Sequence, residues 1–127
     1  MFDVAMEGYK QIATTLCPGK TSADSLAAGK FIHDTGYDVY GGYLQGMLGA
    51  NPRHEPQIGP PQSAEDRYLY DEQGRLVYKA GMMFTLQMHI IDKQATRGLF
   101  LADSFVVTTN GPKCLNKFPP QLVRVGR

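Results

Sequence analysis

Gly81-Met82-Met83-Phe84-Thr85-Leu86-Gln87, with Leu101-Ala102-Asp103-Ser104 and Asn110-Gly111-Pro112 after it, is the stretch on which the fold turns. These residues lie in the two longest strand candidates of the chain, Met82 to Ile91 and Leu99 to Thr109. Asp92 to Gly98 connects them, and Asn110-Gly111-Pro112 ends the second. Side chains alternate along a strand, so Gln87 and His89 share a face, while Asp103 points away from the face that Ala102 occupies.

Working outward, Arg67 to Asp71 and Arg75 to Lys79 read as a short hairpin around Glu72-Gln73-Gly74. Gly46 to Asp66, rich in Gly, Pro and Asn, reads as a long surface loop. Tyr37 to Gln45 reads as one short strand entering it. Upstream, Phe2, Ala5, Met6, Tyr9, Ile12, Ala13 and Leu16 recur at intervals of three and four, the signature of an amphipathic helix. Pro18-Gly19 breaks that helix. Thr21 and Asp24 have capping-box spacing, which starts a second helix over Ser22 to Asp34. Its buried residues are expected to be Ala23, Leu26, Ala27 and Phe31, with Gly36 as the left-handed stop. The tail from Phe118 to Arg127 reads as extended. Two helices followed by antiparallel strands is an α+β pattern, and 127 residues suit one domain.

Composition narrows the functional classes. The formal charge of +1 comes from 13 basic and 12 acidic residues mixed along the chain, with no basic stripe for nucleic acid. No apolar run reaches the roughly 20 residues of a membrane span, and Met1-Phe2-Asp3-Val4 does not read as a signal peptide. Cys17 and Cys114 fit neither a disulfide framework nor a zinc site, so reduced thiols and a cytoplasmic location are expected.

The quoted motifs resemble the G-M-V-F-T-I-E and I-E-D-T segments of the pita-bread metallopeptidases. That family includes methionine aminopeptidase, prolidase, aminopeptidase P and creatinase. Leu16-Cys17-Pro18-Gly19-Lys20-Thr21 resembles its L-x-P-G-x-T turn, and Gly36-Tyr37 its following G-Y. The resemblance covers most of the chain and implies one half, the second, of a pseudo-symmetric catalytic domain.

In the family each of the two strands ends in a glutamate that bridges two metal ions, and a histidine in G-H-G-I-G adds a ligand. Here the resemblance puts Gln87, Ala102 and Tyr43 at those positions. A neutral amide is a poor ligand for a hard cation, a methyl group is none, and a phenol ligates only when ionised. The paired aspartates belong to the family's first half and have no counterpart here. No metal or other cofactor is therefore expected. His54-Glu55-Pro56 matches the family's H-E-P, which implies a substrate-facing catalytic histidine at His54. The plainer reading is a solvated loop histidine, favoured once the metals are gone. His89 is read as a satisfied core or pocket histidine. Tyr37, Tyr40 and Tyr43, with Gly41 and Gly42 among them, could line a pocket or simply pack in a strand.

Two functions follow as expectations. One is a degenerate, non-catalytic relative of these peptidases, acting as a binding or scaffold module for a small molecule or peptide. The other is the C-terminal part of a creatinase or Xaa-Pro dipeptidase-type hydrolase whose N-terminal half lies elsewhere. A half domain leaves a strand edge and helix flank to cover, so a homodimer or a separate N-terminal half is expected. The strand Leu99 to Thr109 or the segment Tyr37 to Tyr43 is the expected contact.

Overall fold

The computed structural model describes residues 1–46, 57–60, 64, 71, 73–118 and 120–121. Helix α1 spans Phe2–Thr14 and α2 spans Ser22–Asp34. The strands are β1 (Asp38–Val39), β2 (Leu44–Gly46), β3 (Gln57–Ile58), β4 (Met83–Ile91), β5 (Gly98–Thr108) and β6 (Gly111–Cys114). They form one antiparallel sheet in the order β3-β2-β4-β5-β6, with β1 paired to the far end of β4.

The alternation expected for the long strands is present. Phe84, Leu86, Met88 and Ile90 of β4 are buried, and the residues between them are half-buried. Ala5, Tyr9, Ile12 and Ile32 from the helices complete the core against them, so both helices lie on one face of the sheet. The other face carries Thr85, Gln87 and His89.

In α2 the Asp24 carboxylate accepts from the Thr21 N–H at 2.7 Å, which satisfies a donor at the helix start. Gly36 follows the helix at φ +88°, a conformation that disfavours a side chain. The buried stripe of α2 differs from the expected one. Ser22, Ser25, Gly29 and Ile32 face inward, while Ala23 and Ala27 are exposed. The reason is a buried hydroxyl chain: Thr15 and Ser25 lie 2.5 Å apart, and Ser25 and Tyr78 lie 2.7 Å apart. Hydrogen-bonded serines tolerate burial, which apolar periodicity alone does not anticipate.

Residues Arg75 to Lys79 do not form a hairpin strand. Val77 instead bridges Thr21, and Tyr78 and Lys20 are joined by a 2.8 Å backbone bond, which ties this segment to the turn between the helices. Residues 67–70 and 72, the other part of that expected hairpin, lie outside the described residues. Tyr37 to Gln45 is two strands rather than one, and β3 emerges from the expected loop. The second long strand ends before Asn110-Gly111-Pro112 as expected, and from Gly111 the chain returns as β6, a strand that was not expected. Pro112 is tolerated there because β6 is an edge strand.

Candidate functional site

The register of the sheet gathers the three positions at which the resemblance puts metal ligands. Gln87 on β4 and Ala102 on β5 are direct cross-strand partners. On the other side of β4, the Gln87 N–H donates to the Tyr43 carbonyl at 2.8 Å. Three neighbouring segments of the sheet thus place Tyr43, Gln87 and Ala102 in one row.

Their side chains do not converge. Gln87 and Ala102 sit on the face away from the helices, the first half-buried and the second exposed. Tyr43 turns the other way. Gly41 bends the chain at φ +84°, so the residues before β2 depart from strict alternation. The Tyr43 ring then packs on Gly29 of α2, where a Cβ would lie 2.3 Å from the ring. Its hydroxyl lies 3.0 Å from His33 Nε2, and His33 Nδ1 lies 3.5 Å from an Asp38 carboxylate oxygen. With the imidazole proton on Nδ1 beside Asp38, Nε2 accepts from the Tyr43 hydroxyl. Burial pushes the Tyr43 phenol up to about 12. It stays a neutral, internally bonded phenol at physiological pH.

The donor set does not fit a two-metal centre. The row offers an amide, a methyl group and a phenol that faces the helix layer. Among the described residues no three His, Cys, Asp or Glu side chains gather to hold a metal ion. Asp103, the nearest acid in sequence, is on the core face opposite Leu86. It accepts a 2.6 Å hydrogen bond from the Tyr9 hydroxyl. Burial and that carboxylate hold the Tyr9 phenol well above the usual tyrosine range. Asp103 is thus a core anchor for α1, and the alternation argument places it correctly. His54 and Glu55 lie outside the described residues. Cys17 and Cys114 are free thiols, the first half-buried and the second exposed.

Two register steps beyond Gln87 and Ala102, on the same face, His89 faces Phe100 across the ladder. Their rings are in tilted contact, with centroids 4.1 Å apart and planes at 37°, and Tyr40 approaches His89 at 6.3 Å. A 2.8 Å bond from the Tyr40 N–H to the His89 carbonyl fixes that approach. The three rings border a recess of about 430 Å³, with Ile91, Gly98 and Leu99 as further walls. Tyr37 packs against the core instead and is not one of its walls. Sequence reasoning did not single out Phe100, which reads as one more apolar residue of a long strand. Only the β4–β5 register pairs it with His89. The Asp38–His33–Tyr43 chain was equally hidden, because it joins α2, β1 and the bend before β2.

The fold matches part of several solved peptidase structures. The Xaa-Pro dipeptidase from Bacillus anthracis superposes with a TM-score of 0.68 at 20% identity, over 96% of this chain and 31% of that one. The prolidase from Pyrococcus furiosus gives 0.67 at 22% identity, over 94% and 32%. The dipeptidase PepE from Mycobacterium ulcerans gives 0.65 at 22% identity, over 93% and 29%. The chain therefore spans about a third of the length of these structures and corresponds to a C-terminal portion of them. No protein-family model matches the sequence, and no curated protein does.

Proposed function

We propose that this chain, built on the C-terminal half of a pita-bread fold, is a non-catalytic binding module derived from Xaa-Pro-type metallopeptidases. The observation that carries the reading is the Gln87–Ala102 cross-strand pair. The ladder keeps both positions in register, yet neither side chain can neutralise a divalent cation. Tyr43 adds to this, since its phenol is occupied by His33 within the helix layer. A cation-activated hydroxide, the nucleophile such hydrolysis needs, would have no seat here.

A second reading is favoured by the partial coverage of the peptidase structures. In it the chain is part of a longer hydrolase, with aspartates supplied by another segment. Those aspartates would still face three positions without an anionic donor. Two free thiols support a reducing compartment such as the cytoplasm. Among the described residues, no helix is long and apolar enough to cross a membrane.

The test is elemental analysis of the purified protein together with Xaa-Pro dipeptide hydrolysis in added Mn²⁺, Co²⁺ or Zn²⁺. We expect substoichiometric metal and no turnover. A tightly held ion per chain, with metal-dependent turnover abolished by Gln87→Ala, would overturn the reading.

A further inference from the structure

The binding-module reading leaves open what is bound, and the recess beside the Gln87–Ala102 pair narrows the answer. Tyr40 and Phe100 are 57% and 54% exposed, among the few large apolar side chains that the described residues leave open to solvent. They converge on the half-buried His89 instead of lying scattered, and scattered single exposures are the ordinary case. Two residues along a strand is about 7 Å, so the recess adjoins the former ligand row on the same face.

The chemistry of the walls discriminates between ligand classes. The His89 and Phe100 rings are already in contact at 4.1 Å, so no gap between them could cage a cation. Lys and Arg are absent from the walls, which leaves an anion without a counter-charge. The exposed aromatic rings of Tyr40 and Phe100 suit contact with another π system. The imidazole nitrogens of His89 make no hydrogen bond to any described residue and offer one polar contact at the rim. A volume near 430 Å³ accommodates a small molecule.

We propose that Tyr40, His89 and Phe100 form a binding site for the planar heteroaromatic ring of a small molecule, with one hydrogen-bonding edge turned to His89. The proposal gives the binding-module reading its ligand class and does not involve a metal.

The chain contains no tryptophan, so an indole probe can be followed without protein background. N-acetyl-tryptophanamide is titrated with the full chain in the presence of a chelator, and its fluorescence anisotropy is read. Amide chemical shifts are followed in parallel. We expect saturable binding at millimolar or lower probe, with shifts centred on residues 40, 89 and 98–100. Tyr40→Ala should weaken binding about five- to tenfold, as should Phe100→Leu, which keeps the apolar bulk but removes the ring face. The cyclohexyl analogue of the probe should not bind. Equal binding of that analogue would overturn the proposal, as would shifts centred elsewhere or no saturation with folded protein. Because the chelator removes metal, failure here would leave the elemental analysis and hydrolysis results standing.

Discussion

At the scale of single residues, the proposed non-catalytic reading rests on Gln87, Ala102 and Tyr43. Gln87 and Ala102 are direct partners, so their Cβ atoms stand about 5 Å apart, close enough for two carboxylates to share a cation. Gln87→Glu combined with Ala102→Glu should therefore cost about 1 kcal/mol through like-charge repulsion across the ladder. Added Mn²⁺ or Zn²⁺ should restore the melting temperature of the double variant while leaving the parent unchanged. Thermal melts with and without cation read this directly, and an unresponsive double variant would mean that the two side chains diverge. Tyr43 shows why a substitution cannot be judged by position alone. It occupies the row, yet Gly41 and the gap above Gly29 let its ring leave the sheet face.

At the scale of elements, one carboxylate adds to the backbone bonds that tie residues 75–78 to the start of α2. Asp71 accepts from the Leu76 N–H at 2.7 Å, from the Arg75 N–H at 3.1 Å and from the Ser22 hydroxyl. Burial pushes this carboxyl up, but the donors outweigh it and hold the group below the usual carboxylate range. A group depressed in the folded state contributes stability above its unfolded pKa and loses it as the pH falls through the folded value. Asp71→Asn removes the charge and cannot accept from all three donors through its amide nitrogen. It should cost about 1–3 kcal/mol in urea denaturation at pH 7, with the difference from the parent shrinking in acid. An unchanged midpoint would show that the donors find water instead.

At the scale of the whole molecule, two predictions concern the packed layers and their open edge. Burial raises the Tyr43 and Tyr78 phenols from 10.0 to about 12; for Tyr78 the effect prevails over its bond to Ser25. The unfolded chain thus releases these protons first. Stability should be fully present below pH 10 and fall between pH 10 and 12, by up to about 1.4 kcal/mol per pH unit for each phenol. Tyr43→Phe should flatten that slope in alkaline denaturation curves, and an equally steep slope would exclude the phenol as its source. For assembly we propose a homodimer. β6 pairs with β5 only over Phe105 to Thr108, so the outer edge of Gly98 to Asp103 has no strand partner among the described residues. Pro112 and Lys113 protect the β6 edge itself, which directs pairing to the β5 end. Light scattering at micromolar concentration should give twice the chain mass, and a clean monomer mass would point instead to a separate N-terminal half.

Local pattern was enough for the elements whose signals lie within a few residues. The spacing of apolar residues in α1, the Thr21–Asp24 cap and the two long strands were all legible, because helix and strand periods are written directly in side-chain polarity. So was the inward direction of Asp103, which follows from alternation alone. The tertiary structure decided what depends on register and on contacts far apart in the chain. It selected the serine stripe of α2, because Tyr78, 53 residues away, supplies the partner for Ser25. It turned Tyr43 into the helix layer, because Gly29 leaves room for its ring. It brought Phe100 onto His89, because pairing of two strands is a long-range event that no short window of sequence records.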